Sequence, residues 1–510
     1  MNYLNKLNNI NSYVVAFIAG VFLTLAFAPF FIFPLAIIGF SLSIYLIDQA
    51  KAAKKSFFIG WWFGFGHFTT GLYWFVNALL TDPGQFGWMI PFAIMGIPAI
   101  LSVYIGLVFF TIYKLPFRGV SRVIIYAVVW TIVEMLRGFL FTGFPWNLVG
   151  YIWGFSINMC QIVSIVGVWG LSFITVICFS APAVYKQKSG KKLLICSCLL
   201  IMSTWLFGAY RISHTNVDKV AGVRLRLIQP NIPVAPEKWN SDSQLSILQK
   251  LMRMSSDNGY TKITHLIWPE AAVPYYIFND ASVLKVLKYI VPKNGALITG
   301  SIRVDGNEFQ YNFWNSIHVI DDQGKIISFY DKSHLVPFGE YVPLRWIFDK
   351  IIVIKKITAG FQDFKTGKGP TTIAAPGLSD FAPLICYEAI FPDNVMNKAK
   401  KPGLFINVTN DAWYGKSTGP YQHFYMVRMR AIEYGVSLVR SANSGISAVI
   451  DPLGKIIART NLQEQTILDS DLPNKLSTST IYSVYGCYLI LLILSIFTIL
   501  AIYLHKILKN

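Results

Sequence analysis

Eight apolar runs constrain the fold of this chain more than any other feature. They lie near residues 12–30, 31–50, 57–80, 87–113, 123–141, 160–185, 193–210 and 483–505. Each is close to the roughly 20 residues that a helix needs to cross the apolar core of a bilayer. The chain is also 54% hydrophobic and 14% charged, with a mean hydropathy of +0.49, which is too apolar for an ordinary soluble protein. The sequence therefore predicts a multi-span α-helical membrane protein.

The acidic residues divide the chain into two kinds of sequence. Only three of the 26 lie in residues 1–209, 23 lie in 210–478, and none follows 478. We therefore expect a membrane domain of seven transmembrane helices in residues 1–210 and a polar domain in residues 211–478. Residues 479–510 are expected to form a C-terminal transmembrane helix with a short tail.

The short loops between the predicted spans indicate the orientation. Thirteen Lys and Arg residues lie near residue 6 and within 51–55, 114–122, 186–192 and 506–509, all on one side of the predicted spans. The loops on the other side, 81–86 and 138–159, contain none. Because cytoplasmic loops collect positive charge, both termini are predicted to be cytoplasmic and residues 211–478 to lie outside the cytoplasm. Most of the formal net charge of +18 then reflects membrane topology rather than nucleic-acid binding.

The polar domain alternates strand patterns with helix patterns. Strands are predicted at 223–231, 264–270, 296–305, 311–321, 325–331, 381–388, 404–411 and 447–457, and helices at 242–256, 281–291 and 419–436. Its length of about 270 residues is sufficient for a core of its own. We therefore expect a single α/β domain.

Cys386 stands apart from the other cysteines. Five of the six (Cys160, Cys178, Cys196, Cys198 and Cys487) lie in or beside apolar runs, where cysteine behaves as a small hydrophobe. Cys386 is the only one in the predicted exported domain, so it has no partner there for a disulfide. It is either a reactive thiol or a buried core residue, and the cysteine count alone leaves both interpretations open.

Three residues with useful chemistry follow predicted strands: Glu270, Lys332 and Cys386. Strand ends are where side chains from distant parts of a chain converge, although a single Glu or Lys in such a place is usually solvated surface. A thiol needs a base, or a cation that favours its thiolate, before it attacks a carbonyl group. We therefore expect Glu270 to accept the proton of Cys386, and Lys332 to stabilise the thiolate and the oxyanion, aided by the backbone N–H of Tyr387.

The segments around these residues resemble a known superfamily. "WPE" (268–270), "YDKSHLVPFGEYVP" (330–343) and "LICYE" (384–388) are similar to the Glu, Lys and Cys elements of the nitrilase superfamily, whose domains are α-β-β-α sandwiches. "EMLRGFLFTGFPW" (134–146), "NDAWYG" (410–415) and "RSANSGIS" (440–447), together with the predicted spans, resemble the apolipoprotein N-acyltransferases of bacterial inner membranes. The similarity extends over nearly the whole chain.

This resemblance implies an activity. Members of that family take an acyl chain from a phospholipid, preferentially phosphatidylethanolamine, onto the cysteine as a thioester. They then pass it to the amino group of the diacylglyceryl-cysteine of an apolipoprotein. By motif, Cys386 would be the nucleophile, Glu270 the base and Lys332 the oxyanion partner. Further positions that match ones the family needs are Trp239, Glu340, Tyr387 and Glu388. No cofactor is implied, and the protein is expected to be a monomer with its catalytic domain on the periplasmic side.

A thioester must be kept from water, so apolar covers are expected near Cys386. Residues 344–357 are one candidate arm, because they place Trp346, Phe348, Ile351, Ile352 and Ile354 among lysines. The same pattern also fits an ordinary packed helix or strand. Trp413 and Tyr414 are candidates for a second cover, although large aromatic residues are more often part of the core.

Other signals are weaker. Glu134 and Arg137 lie three residues apart near the outer end of the fifth run, where ionisable groups are functional candidates, but a structural ion pair is at least as good an explanation. No HExxH or CxxC motif supports a metal site in the polar domain.

Two other functions fit parts of the sequence. A membrane-tethered amidase or nitrilase could use the same three residues, but eight spans are more than a tether requires. A transporter or receptor with a ligand-binding exported domain predicts charges along several spans, yet residues 1–209 hold three acids.

Overall fold

The computed structural model describes residues 11–234, 240–307, 310–351, 356–358 and 362–509. They form two compact units. The first comprises the described residues up to Val76, Trp88–Asn216, and the chain from Ser479 onward. The second comprises Asn77–Gly87 and Val217–Thr478. The short segment Asn77–Gly87 therefore belongs with the polar domain, although the sequence places it between two apolar runs.

The first unit is helical. Its long helices are α1 (Ser12–Thr24), α2 (Phe33–Gln49), α3 (Ala53–Leu72), α4 (Ile97–Lys114), α5 (Gly119–Phe139), α6 (Val163–Ser180), α7 (Gly190–Ser213) and a C-terminal helix (Tyr488–Lys509). Shorter helices lie at Phe75–Leu79, Pro83–Phe86, Ile157–Cys160 and Ile481–Tyr485. Each of the eight apolar runs thus contains a long helix.

Five helical stretches of the described chain are long and apolar enough to cross a membrane: Pro83–Lys114, Gly119–Thr142, Val163–Val184, Gly190–Ser213 and Tyr488–Ile507. The apolar helices α1 and α2 are shorter than that. Helix α1 ends at Thr24, and the rest of its apolar run forms a turn. This turn contains Pro29, a residue that interrupts the interior of a helix.

Glycine allows the first helices to approach closely. A β-carbon on Gly20 of α1 would lie 2.0 Å from the carbonyl oxygen of Phe63 in α3. One on Gly66 of α3 would lie 2.2 Å from the carbonyl oxygen of Phe17. No other residue fits at these two positions, and such small-residue contacts replace the hydrophobic effect as the source of helix association in apolar surroundings.

Glu134 and Arg137 are both buried and bind the backbone of the segment that follows α5. The Glu134 Oε1 atom accepts a hydrogen bond from Val149 N (3.0 Å), and Arg137 donates to the carbonyl oxygens of Phe144 and Trp146 (both 2.7 Å). The two side chains thus stabilise the segment between α5 and α6. These contacts favour a structural role for Glu134 and Arg137 over a functional one.

The second unit contains two six-stranded sheets. The first has the order β12-β1-β2-β3-β4-β5 and the second the order β11-β10-β9-β8-β7-β6. The strands are β1 (Lys219–Gln229), β2 (His265–Ile267), β3 (Ala296–Asn307), β4 (Gln310–Asp321), β5 (Ile326–Asp331), β6 (Ile373–Ala375), β7 (Leu378–Ile385), β8 (Leu404–Thr409), β9 (Ser437–Ala442), β10 (Ala448–Ile450), β11 (Ile456–Arg459) and β12 (Thr466–Pro473). Parallel and antiparallel pairs occur in both sheets.

The two sheets pack face to face between helices. Leu225, Leu227 and Ile298 of the first sheet share one buried cluster with Ile406 and Val439 of the second. Helices α8 (Ser241–Ser255) and α9 (Ala281–Leu287) contribute to a second cluster on the outer face of the first sheet. With the buried helix α11 (Gly419–Tyr434), the unit is the expected α-β-β-α sandwich. A short helix α10 (Arg345–Ile351) lies between β5 and β6 in the sequence.

The prediction of one strand over 447–457 is wrong. The chain forms a hairpin there, β10 and β11, because Asp451 accepts hydrogen bonds from the backbone N–H groups of Leu453 and Lys455 (2.9 and 2.8 Å). Gly454 takes the left-handed conformation (φ 78°) that this turn requires. Strands β6, β9 and β12 were not predicted.

A buried arginine ties the edge of the first sheet to α8. Arg226 on β1 is fully buried and binds the Asp469 carboxylate of β12 through two hydrogen bonds of 2.8 Å. It also donates to the carbonyl oxygens of Ser255, Asp257 and Asn258 (3.0, 2.9 and 2.6 Å). Its donors are thus satisfied by the end of α8 and the turn that follows it.

Replacing Arg226 by Met is expected to lower the free energy of unfolding by about 3–5 kcal/mol, because Asp469 and three carbonyl oxygens lose their partner. Arg224, two residues away, pairs with Asp471 but is 42% exposed. Arg224→Met is the matched control and is expected to cost less than about 1 kcal/mol. Thermal or denaturant unfolding of the full chain in detergent measures both, and equal losses would contradict this account.

Candidate active site

The site lies where strands of both sheets end. Glu270 follows β2 by three residues, while Lys332 and Cys386 come directly after β5 and β7. The backbone of Glu270 packs against Gly300 of β3. A β-carbon on Gly300 would lie 2.7 Å from the α-carbon of Glu270. Gly300 also accepts from Ala272 N (3.0 Å) and donates to Pro269 O (3.2 Å). A glycine in β3 therefore allows the Glu270 turn to lie against the sheet.

Lys332 is buried between two carboxylates. Its Nζ atom lies 2.9 Å from Glu340 Oε2 and 3.7 Å from Glu270 Oε1. Burial by itself lowers the pKa of Lys332, but the charges of Glu340, Glu270 and Cys386 outweigh it and raise the pKa above its usual value. Lys332 is therefore a permanent cation at the centre of the site.

Asn315 of β4 joins the two carboxylates and was not identified from the sequence. Its Nδ2 group donates to Glu270 Oε1 (2.8 Å) and to Glu340 Oε1 (2.9 Å). The backbone N–H groups of Asn410 and Val336 complete the contacts, at 2.8 Å from Glu270 Oε2 and 2.9 Å from Glu340 Oε2. Four hydrogen bonds thus fix both carboxylates in one orientation.

Glu270 is a weaker acid than a solvated glutamate. It is buried, and burial raises its pKa, with the nearby Glu340 charge acting in the same direction and Lys332 against it. A carboxylate whose pKa is raised accepts a proton more readily. Such a group suits proton transfer from a thiol.

Cys386 occupies a strained turn at the start of a short 3₁₀ helix, Cys386–Ile390. Its φ of 51° lies in the left-handed region, which L-residues with a β-carbon rarely adopt. Burial and the Glu270 charge raise the pKa of the thiol to about 12, while Lys332 acts to lower it. The resting side chain is therefore a thiol.

Glu388 holds the Cys386 and Lys332 segments together. Its carboxylate accepts hydrogen bonds from Ile385 N (2.7 Å) on one side and from Ser333 N (2.7 Å), His334 N (3.2 Å) and the Tyr330 hydroxyl (2.6 Å) on the other. The two segments come from different sheets, so this one buried carboxylate fixes the separation of the thiol and the ammonium.

A second buried cluster lies behind Cys386, and the sequence did not reveal it. The Nε2 atom of His423 is 3.3 Å from the Cys386 carbonyl oxygen, and its Nδ1 atom is 3.0 Å from Asp411 Oδ1. Arg440 donates to Asp411 Oδ2 (2.6 Å) and also to Asn407. Although burial opposes it, Arg440 and His423 hold the pKa of Asp411 well below its usual value.

The remaining predicted residues have different positions. Tyr387 is buried, with its ring 5.1 Å from the ring of Phe391. Trp413 is partly buried in the 3₁₀ turn Asp411–Tyr414. In the same turn, Tyr414 brings its hydroxyl oxygen to 4.0 Å from Cys386 Sγ. Trp239 lies outside the described residues.

The predicted arm is only partly described. Its first half consists of Leu344 and helix α10, and the side chains of Leu344 and Trp346 are exposed (59% and 67%). The side chains of Phe348 and Ile351, and residues 352–355 with Ile352 and Ile354, lie outside the described part of the chain. Within the described ranges, no group of three or more His, Cys, Asp or Glu side chains could hold a metal ion.

Solved structures are similar to about half of this chain. They include an amidase from Nesterenkonia sp. AN1 (18% identity, 50% of this chain, 93% of that chain, TM-score 0.36). Another is Nit3 of Saccharomyces cerevisiae (17% identity, 52% of this chain, 94% of that chain, TM-score 0.36).

Family matches and close relatives cover nearly the whole sequence. Residues 19–181 match the apolipoprotein N-acyltransferase N-terminal domain, and residues 224–482 match the carbon-nitrogen hydrolase family. The apolipoprotein N-acyltransferase of Rhodopseudomonas palustris is 38% identical over 93% of this chain and 91% of its own length. That of Rickettsia prowazekii is 37% identical over 96% and 98%. The chain belongs to the apolipoprotein N-acyltransferase family.

Proposed function

We propose that this protein transfers an acyl chain from a membrane phospholipid to the N-terminal amino group of a lipoprotein precursor. The observation that carries the proposal is the junction of the two sheets, where a strained, buried Cys386 lies in the electrostatic field of Lys332 and Glu270. The other unit of the chain consists of apolar helices. A covalent acyl carrier in a membrane-bound chain fits a lipid donor.

In the first half-reaction, Glu270 takes the thiol proton of Cys386 as sulfur attacks the ester carbonyl of the donor. The carbonyl electron pair moves to oxygen, and we assign stabilisation of this oxyanion to Lys332 and the Tyr387 N–H. When the C–O bond breaks, protonated Glu270 returns its proton to the leaving lysolipid oxygen. The products are a Cys386 thioester and a lysophospholipid.

In the second half-reaction, the amino group of the diacylglyceryl-cysteine attacks the thioester carbonyl. Glu270 accepts a proton from the amine, the C–S bond breaks, and the electron pair goes to sulfur. The thiolate then recovers its proton from Glu270. This ping-pong cycle releases an N-acylated lipoprotein, and phosphatidylethanolamine is the proposed donor.

The proposed setting is a bacterial inner membrane. We assign both termini to the cytoplasm and residues 211–478 to the periplasmic side, on the strength of the one-sided Lys and Arg distribution. Residues 1–210 and 479–510 would form the membrane domain, and the functional unit would be a monomer. Both substrates are lipids of that membrane.

The thioester requires protection from water. We propose residues 344–357 as an arm that enters the membrane surface. The exposed Leu344 and Trp346 at the start of α10 support this, because large apolar side chains in water are costly unless they contact lipid or a partner. Trp413, next to the turn residue Tyr414, would contribute to the cover on the other side.

Incubation with acyl-labelled phosphatidylethanolamine is expected to give a hydroxylamine-labile adduct on Cys386, because a thioester is cleaved by that nucleophile. A diacylglyceryl-cysteine lipopeptide should then discharge the label into an amide. Peptide mass spectrometry after gel separation identifies the site.

The Cys386→Ala variant is the control and should remain unlabelled. Equal labelling of this variant would overturn the covalent route. Rapid turnover of soluble amides without transfer to the lipopeptide would instead favour a membrane-tethered amidase.

The charges around the thiol predict opposite effects of two variants on its pKa. Because the Glu270 charge raises the pKa of Cys386 and Lys332 lowers it, Glu270→Gln should lower this pKa and Lys332→Met should raise it. Alkylation of Cys386 by iodoacetamide, followed by peptide mass spectrometry from pH 7 to 10, measures the change.

Both variants are expected to lose acyl transfer, so the alkylation profile separates electrostatics from catalysis. The rise of the rate with pH should begin at lower pH in Glu270→Gln than in the wild type, and at higher pH in Lys332→Met. Shifts in the same direction would contradict the proposed charge arrangement.

A further inference from the structure

The hydroxyl group of Tyr414 lies close to the sulfur of Cys386. Its hydroxyl oxygen lies 4.0 Å from Cys386 Sγ, within hydrogen-bonding range for sulfur. The ring meets the edge of the His423 ring (centroids 5.8 Å, interplanar angle 74°), so its plane is fixed by a residue that also contacts the Cys386 carbonyl.

We propose that Tyr414 is a further catalytic residue whose hydroxyl donates a hydrogen bond to the Cys386 thiolate. The inference rests on the proposed function, in which Cys386 carries the acyl chain. The donor acts twice, once when Glu270 removes the thiol proton and again when the C–S bond breaks and sulfur takes the electron pair. Tyr414 itself keeps its proton throughout, so no additional acid or base is consumed.

The charges of the site explain why sulfur needs this donor. Lys332 already faces two carboxylates, at 2.9 and 3.7 Å, so much of its positive charge is compensated before a thiolate forms. A buried anion is expensive unless donors surround it, and the Tyr414 hydroxyl adds to the hydrogen bond that the Thr409 side chain makes with Cys386. The phenol remains a donor because burial and the nearby Cys386 and Asp411 raise the pKa of Tyr414 well above its usual value.

Asn77 holds the Tyr414 turn in place. Its Nδ2 atom donates to the Tyr414 carbonyl oxygen (2.8 Å), which also accepts from the Ser417 hydroxyl (2.7 Å). The next residue, Gly415, has a φ of 60°, and a β-carbon there would lie 2.8 Å from the Asn77 side chain. Asn77 belongs to the short segment Asn77–Gly87 that clusters with the polar domain. We assign it the role of a positioning residue for Tyr414.

The test uses the full chain in detergent and the labelled phospholipid described above. Tyr414→Phe keeps the ring and removes only the hydroxyl. A hydrogen bond to a charged group corresponds to a change in rate of about 10- to 100-fold. We expect both thioester formation and discharge to slow by this factor, and the alkylation profile of Cys386 to move to higher pH.

Asn77→Ala is expected to slow the same two steps, to a smaller extent. Because Asn77 acts through Tyr414, the double variant should be no slower than Tyr414→Phe, whereas independent sites would give multiplied effects. Asp82→Asn is the matched control in the same segment and should leave both rates unchanged. Among the contacts described, the Asp82 carboxylate accepts only from Gln85 N of its own turn.

The outcomes are distinct. Wild-type rates and an unshifted alkylation profile in Tyr414→Phe would overturn this inference while leaving the Cys386 adduct, and so the proposed function, intact. Labelling of Cys386→Ala would overturn the proposed function and this inference with it. If the thermal midpoint shows that Tyr414→Phe is unfolded, Asn77→Ala decides: a shifted alkylation profile supports the role, and an unshifted one refutes it.

Discussion

The buried ion pair between Lys332 and Glu340 is the interaction on which the rest of the site depends. Two carboxylates share the amide of Asn315, and like charges that share one donor group repel each other unless a cation lies beside them. Lys332 supplies it, closer to Glu340 (2.9 Å) than to Glu270 (3.7 Å). Glu340 thus compensates the ammonium, and Glu270 is left as the carboxylate that can exchange a proton. Without Lys332, the two carboxylates would have no cation between them.

The sequence was sufficient to predict the elements whose patterns are local. The apolar runs predicted where helices α1–α7 lie, because the pattern of apolar residues can be read from the sequence alone. Helices α1 and α2 are nevertheless shorter than a membrane span. Alternation gave most of the strands, and the positions of Glu270, Lys332 and Cys386 just after β2, β5 and β7 followed from those strand ends. The deviations have local causes too: the turn around Asp451 and Gly454 divides one apparent strand into β10 and β11.

What the sequence could not reveal depends on contacts between distant segments. Asn315 is one polar residue among the alternating positions of β4, and only the packing of β4 beside the Glu270 turn makes it a bridge between carboxylates. Arg440 lies in a strand that is buried on both faces, so the sequence of this strand does not alternate between apolar and polar residues. Its partner Asp411 is 29 residues earlier. The contact of Asn77 with Tyr414 spans 337 residues. No periodicity encodes such pairs, although each consists of ordinary hydrogen-bonding groups.

The proposed proton transfer conserves the charge of the site. Before the transfer, the Glu270 carboxylate carries one negative charge and the thiol is neutral. After Glu270 takes the proton, the thiolate carries the same charge. A dry site strongly penalises the creation of new charge but much less its movement over a short distance. The raised pKa values of Glu270 and Cys386 therefore work together: both groups resist ionisation because of burial, so the free-energy gap between the two protonation states is smaller than the thiol pKa alone suggests. Hydrogen-bond donors near sulfur and near the oxyanion then need to stabilise only the negative charge that has moved to these atoms. This charge distribution is what differs between the ground state and the transition state.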